Sequence, residues 1–177
     1  MANLLSSQGL QQGFSQFNST RFSGVNWGRG VQKAVVWQIL AADLLALPGT
    51  KIQLVPAPNS TPPSVSGQST FILIPGASYF QYKFNTTAYT LGNADNTFQI
   101  EYTGKAVALA SQAATGLMTL TADAGVRPTT VNPGILTTAN SANLGLELTL
   151  VGTTPALTLG DGLLYIQLDY TVAPIFP

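Results

Sequence analysis

Leu163-Leu164-Tyr165-Ile166-Gln167-Leu168-Asp169-Tyr170-Thr171-Val172 is the stretch whose reading decides the fold. Leu164, Ile166, Leu168, Tyr170 and Val172 share one face, and Tyr165, Gln167, Asp169 and Thr171 share the other. This period of two over a long run predicts a β-strand with one face in a core and a wetter opposite face. Gly160-Asp161-Gly162 supplies the turn before it, since glycine adopts positive φ without steric penalty and aspartate bonds locally in turns. So long a strand needs partners for its backbone groups and a second layer over its apolar face.

Working backwards, Leu144, Leu146, Leu148 and Leu150 alternate with Gly145, Glu147 and Thr149, and this strand is expected beside the last one. Phe98, Ile100 and Tyr102 alternate with Gln99 and Glu101. Phe80, Tyr82 and Phe84 alternate with Gln81 and Lys83. Thr70–Ile74 reads as a buried strand ended by a Pro75-Gly76 turn, Lys51–Val55 as a strand closed by Pro56-Ala57-Pro58, and Lys33–Leu40 as a strand apolar on both faces. Ala41–Leu47 reads as a short helical or 3₁₀ turn ended by Pro48-Gly49. Residues 59–69 and 85–96 are polar loops. Residues 105–117 are open between a strand over Lys105–Ala110 and a short helix over Val107–Ala114. Met118–Thr121 is strand-like, Asp123-Ala124-Gly125 is a turn, and Val126–Val131 is an edge strand because Pro128 cannot donate to a ladder. Ile135–Thr138 is β-prone, and residues 173–177 form an apolar tail. Short strands with a turn signal every ten residues or so predict an all-β protein, an antiparallel β-sandwich over residues 33–177.

Residues 1–32 differ. They are rich in Gln, Ser, Asn and Gly, and Arg21 and Arg29 are their only charges. Fixing the backbone of some thirty residues costs on the order of 30–60 kcal/mol. Burying each large apolar side chain returns only ~1.5–3 kcal/mol. Yet Phe14, Phe17, Phe22 and Trp27 are aromatics that disordered tails usually lack. The reading is an extended N-terminal arm that takes its shape from neighbouring subunits. Leu10, Phe14, Phe17, Arg21, Phe22, Trp27 and Arg29 are its candidate interface residues, the two arginines pairing with acidic groups of a partner.

Composition restricts the chemistry. The chain of 177 residues has no cysteine and no histidine, so thiolate ligands, cysteine nucleophiles and the usual general base near pH 7 are missing. Charged residues are 8 %, and seven basic residues balance seven acidic ones, against about 25 % charged in an average domain. No net field attracts nucleic acid or anionic lipid. Such a sparse, balanced surface suits a protein packed against other subunits. The start lacks a basic n-region and an apolar h-region, so no secretory signal is read there, and no apolar run reaches the ~20 residues of a membrane span.

No motif supplies an active site. Asp161 and Asp169 could form a carboxylate pair, but one lies in a turn and the other on a polar face, and structural roles are expected for both. No Ser-x-x-Lys spacing occurs, and Gly28-Arg29-Gly30 lacks the phosphate-loop context. Asp95, Asp123 and Asp161 stand alone in their loops, unlike calcium ligands. The sequons at Asn18, Asn59 and Asn85 are discounted. Tyr79, Tyr82, Tyr89 and Tyr102 could line a sugar-binding surface. The alternation around Tyr82 and Tyr102 favours packing, while Tyr79 and Tyr89 stay open. No cofactor and no metal are expected.

Ala41-Ala42-Asp43-Leu44-Leu45-Ala46-Leu47, then Ile52-Gln53-Leu54-Val55-Pro56-Ala57-Pro58, then Gly160-Asp161-Gly162 with the alternating last strand, resembles a group of small tailed-bacteriophage virion proteins. The resemblance spans roughly residues 33–172. After Pro58 this chain departs from the group, which runs into a Gly-x-Gly-Lys strand start where residues 59–69 stand here. The resemblance implies a jelly-roll-like sandwich that often trimerises on a capsid or in a tail. The expectation is a non-enzymatic virion structural protein on the capsid surface, made in the host cytoplasm. It is read as a decoration or cement protein that binds the major capsid protein and copies of itself, as a homotrimer. The alternative is a tail, neck or head-fibre module, with glycan binding in view. Neither nucleic acid nor a membrane is an expected partner.

Overall fold

The structure, a computed structural model, describes residues 3–4, 31–57, 71–131 and 141–174. Within them, strands dominate and the chain is an all-β sandwich of antiparallel sheets. The strands are β1 (Asn3–Leu4), β2 (Val31–Ile39), β3 (Ile52–Val55), β4 (Phe71–Lys83), β5 (Thr90–Leu91) and β6 (Thr97–Tyr102). They continue as β7 (Ala108–Ala113), β8 (Ala124–Val126), β9 (Thr129–Thr130), β10 (Leu146–Val151), β11 (Leu157–Thr158) and β12 (Leu163–Pro174). A short helix, α1 (Ala41–Leu45), follows β2.

The first sheet has the order β1-β2-β12-β4-β8, the second β3-β10-β6-β7-β9, and β11 pairs with β5 in a small third ladder. The last strand lies at the centre of the first sheet, between β2 and β4. Its expected inner face is correct. Leu164, Ile166 and Leu168 are fully buried, and Tyr170 and Val172 are partly buried against the same core.

The two sheets share one apolar core. Phe80 of β4 meets Phe98 of β6 edge-on, with ring centroids 6.3 Å apart and planes at 76°, a favoured aromatic geometry. Two polar groups cross between the layers. The Tyr102 hydroxyl donates to the Leu73 carbonyl (2.7 Å), and the Trp37 indole N–H donates to the Leu54 carbonyl (2.7 Å). Both satisfy groups that would be expensive to bury unpaired. Burial pushes the Tyr102 hydroxyl up to about 12.

Several local expectations are overturned, each by a tertiary partner. The Leu144–Leu150 strand, β10, is not beside β12. It pairs with β6 and β3 in the opposite sheet, so its leucines meet those of β12 across the core. Pro75-Gly76 does not turn the chain. β4 runs through it for 13 residues, and Gly76 and Ala77 together oppose Asp169 of β12, a β-bulge. Proline is tolerated beside a bulge, where a ladder bond is already missing. A Cβ on Gly76 would lie 3.3 Å from the Asp169 carbonyl oxygen, so the strands pass closely there. The ambiguous 105–117 segment holds a strand, β7, paired with β6, and no helix. Met118–Thr121 is not a strand. It follows a turn at Gly116 (φ 78°), and Met118 plugs the core at 0 % exposure. The 126–131 strand is two. β8 belongs to the first sheet and β9 to the second, with Arg127-Pro128 between them, so Ala124 and Gly125 are in a strand rather than a turn. The 85–96 loop contains β5. The 59–69 loop, the 135–138 segment and residues 175–177 lie outside the described residues.

Three isolated aspartates turn out to be loop clasps. Asp95 accepts from the Thr153 amide (2.9 Å) and hydroxyl. Asp123 accepts from the Phe84 amide (3.0 Å) and pairs with Lys83. Asp161 accepts from the amides of Thr86 (3.0 Å) and Thr87 (2.8 Å), from the Thr86 hydroxyl and from the Asn85 side-chain amide (2.9 Å). These bonds, led by the Thr86 hydroxyl, hold the Asp161 carboxyl at about 2, below the ordinary 3.8. Because the folded value is depressed, its contribution to stability is complete above about pH 3.8 and is lost as pH falls through about 2. Asp161→Asn is expected to remove that acid-limb contribution and to speed amide exchange at Thr86 and Thr87, with core amides little changed. Hydrogen exchange followed by NMR between pH 2 and 6 checks this. Unchanged exchange at both amides would mean that the clasp is not what holds the loop.

Candidate functional site

Two groupings of polar side chains stand out, one on the outer face of each sheet. On the second sheet, Glu101 of β6 and Glu147 of β10 are direct cross-strand partners. They are only 2 % and 6 % exposed. Like charges placed opposite one another repel. Lys51, just before β3, lies over both, bonding Glu101 and reaching Glu147 Oε1 at 2.8 Å. The Gly104 amide donates to the same Glu147 oxygen (3.1 Å). The hydrogen bonds to Glu101 and then Glu147 raise the Lys51 ammonium above its ordinary value. The carboxylates are thus bridged by a cation and have no open approach for a reacting group, so the cluster is a structural clamp.

On the first sheet, a shallow cleft of about 240 Å³ is lined by Ala77, Ser78, Tyr79, Arg127, Gln167 and Asp169. The fold builds it from three pieces. β12 presents Gln167 and Asp169 on its outer face, as the alternation requires. The Gly76–Ala77 bulge in β4 opens the ladder opposite Asp169. The chain leaving β8 for the second sheet supplies Arg127. Tyr79 lies across Gly125 of β8, so closely that a Cβ at 125 would fall 1.8 Å from the tyrosine hydroxyl. Nearby on the same face, Gln38 donates to the Tyr165 hydroxyl (3.0 Å).

The sequence candidates distribute unevenly over this geometry. Of the four tyrosines, Tyr82, Tyr89 and Tyr102 are buried in the core, and Tyr79 is 40 % exposed in the cleft. The Tyr89 hydroxyl donates to the Gly162 carbonyl (2.8 Å), and burial pushes it up. Asp169 is in the cleft, whereas Asp161 holds a loop and does not line it, so the two form no pair. Among the described residues, no group of three or more acidic side chains is placed to hold a metal. Among them no helix is long and apolar enough to cross a membrane. The candidate interface residues Leu10, Phe14, Phe17, Arg21, Phe22, Trp27 and Arg29 lie outside the described residues.

Sequence reading missed Arg127 and the Glu101–Glu147 pair. Arg127 carried no signal, because it sits on a connection whose course depends on both sheets. The glutamates did carry one. Each stands one residue away from an inward-facing apolar side chain, so once β6 and β10 are known to be neighbours both must face outward together. Comparison with protein-family models, with curated proteins and with solved structures gives no match for this chain.

Proposed function

We propose that this chain is a non-enzymatic structural protein of a virion, a capsid decoration or cement protein that binds the shell through its N-terminal arm. The observation that carries the proposal is the strand order. Setting aside the two-residue strands, the sheets are β2-β12-β4-β8 and β3-β10-β6-β7. This order supports reading the sandwich as two Greek keys rolled together, the jelly roll that recurs in capsid and lectin domains. Fold alone does not fix function, and the resemblance at Ala41–Leu47, Ile52–Pro58 and Gly160–Val172 supplies the second support. The sparse, balanced charge is the third.

In this reading the sandwich sits on the outer surface of the capsid as a homotrimer. With β1 held on β2 of its own sandwich, residues 5–30 reach across to neighbouring subunits and the major capsid protein. Phe14, Phe17, Phe22 and Trp27 are the anchors, and Arg21 and Arg29 pair with partner acids. The arm boundary is drawn at residue 30 because β2 begins at Val31.

Removing residues 1–30 is expected to abolish attachment to particles, at least a hundredfold in affinity if two or three aromatic anchors of ~1.5–3 kcal/mol each are lost. The sandwich should stay folded. Co-sedimentation with capsids, and imaging of labelled protein on particles, check it. Attachment that survives the deletion would refute the arm mechanism, and label confined to the tail would replace decoration by the tail, neck or head-fibre alternative.

A further inference from the structure

We propose that the cleft on the outer face of the first sheet is a saccharide-binding site that takes the terminal sugar ring of a glycan. The proposal does not depend on where the protein resides. It starts from unused bonding capacity. The chain has seven acidic residues. Asp95, Glu101, Asp123, Glu147 and Asp161 are bonded to protein groups, and Asp43 is also engaged. Asp169 is the exception. Among the described residues, no hydrogen bond or ion pair engages the side chain of Asp169, nor those of Tyr79, Arg127 and Gln167, which line the same cleft. A protein with so few charges has placed an acid and a base together without pairing them.

The chemistry of the lining selects the ligand class. Asp169 is an acceptor, Arg127 a fork of donors, and Gln167 offers both. One negative and one positive charge cancel, so neither a phosphate nor a metal cation is favoured, each being repelled by one of the two. An apolar ligand would strip water from both charges without replacing their hydrogen bonds. A sugar ring offers hydroxyls that donate to Asp169 and accept from Arg127, and an apolar C–H face for an aromatic platform. Tyr79 supplies that platform. It is partly exposed and seated over Gly125, where the missing side chain leaves it room. The volume of about 240 Å³ falls below the ~300–1,000 Å³ of closed small-molecule sites. It suits a single ring whose continuation stays in solvent.

A glycan array carrying terminal hexoses, N-acetylhexosamines and uronic acids, probed with the full chain and followed by NMR titration of the best ligand, tests this. Binding is expected for a subset of neutral terminal sugars, with shifts confined to residues 77–79, 127 and 167–169. Tyr79→Ala and Asp169→Asn are each expected to weaken it about tenfold, the loss of one stacking or one charge-assisted contact. Tyr79→Phe should retain it. Unchanged melting temperatures for all three variants keep the readout separate from folding. Array signals no higher than those of Tyr79→Ala would overturn the proposal. So would binding unaffected by both substitutions, or a cleft that responds to a free amino-acid zwitterion and to no sugar.

Discussion

Replacing Lys51 by methionine is expected to destabilise the fold by about 3 kcal/mol at pH 7, near the lower end of the range for breaking a buried ion pair. The lower end applies because the lysine side chain is itself 40 % exposed, and water already supplies part of its solvation. The damage comes from what remains. Glu101 and Glu147 would face each other across neighbouring strands, both nearly buried, with no cation between them. Two carboxylates in that position cannot both stay ionised cheaply, so one of them takes up a proton well above its ordinary value. The variant should therefore gain stability as pH falls from 7 towards 5, because the folded state then binds more protons than the unfolded state.

The parent protein behaves differently at the other end of the scale. The Lys51 ammonium is raised in the folded state, so its contribution is complete below the unfolded value of 10.5 and disappears as pH rises through the folded value. The double variant Lys51→Met, Glu147→Gln should recover most of the loss. The amide removes the repulsion and its oxygen can still accept from the Gly104 amide, which reaches that position at 3.1 Å. Urea unfolding of the three proteins at pH 5 and pH 7 measures all of this. A Lys51→Met variant as stable as the parent and insensitive to pH would show that the lysine is a bystander.

Phe98→Ala is expected to have the largest effect of any single change, a loss of about 4 kcal/mol, within the ~3–5 kcal/mol of truncating a buried aromatic. Phe98 is fully buried on β6 and faces Phe80 from the opposite sheet. Its removal opens a cavity at the meeting of the two layers, where neither sheet can move to fill it without breaking its own ladder. Phe98→Leu keeps most of the volume and should lose less than about 1.5 kcal/mol. The edge-on contact can be isolated. In a double-mutant cycle of Phe80→Leu with Phe98→Leu, the double variant should lose about 0.5–1.5 kcal/mol less than the sum of the single losses, because each single change already removes the contact. Additive losses in chemical denaturation would place the sheet-to-sheet energy elsewhere in the core.

Much of the sandwich was legible because it rests on alternation. The inner faces of β6, β10, β12 and the Phe80–Tyr82 half of β4 follow from side-chain period alone, whereas Thr70–Ile74, expected to be a buried strand, leaves Ile74 46 % exposed because only one face of β4 meets the core. Leu164, Phe80, Phe98 and Leu148 are buried where the pattern puts them. What could not be read was which strand stands beside which. Alternation in β10 looks the same whether it pairs with β12 or packs against it, and the Ala108–Ala113 strand has no alternation at all. Turn signals were read too literally for a related reason. Pro75-Gly76 is a turn in an isolated peptide. In the sheet it is a bulge, because β12 holds the chain on both sides of it.

By itself, then, the sequence determined the class of architecture, the faces of its long strands and the poverty of its reactive groups, since these depend on side-chain type and local period. Only the tertiary structure decided that Asp161 clasps a loop 74 to 76 residues away, that Lys51 bridges two glutamates from different strands, and that Arg127 and Asp169 share a cleft. Those outcomes depend on contacts between segments far apart in the chain. Such contacts arise from the register of the sheets, and no stretch read alone contains that register.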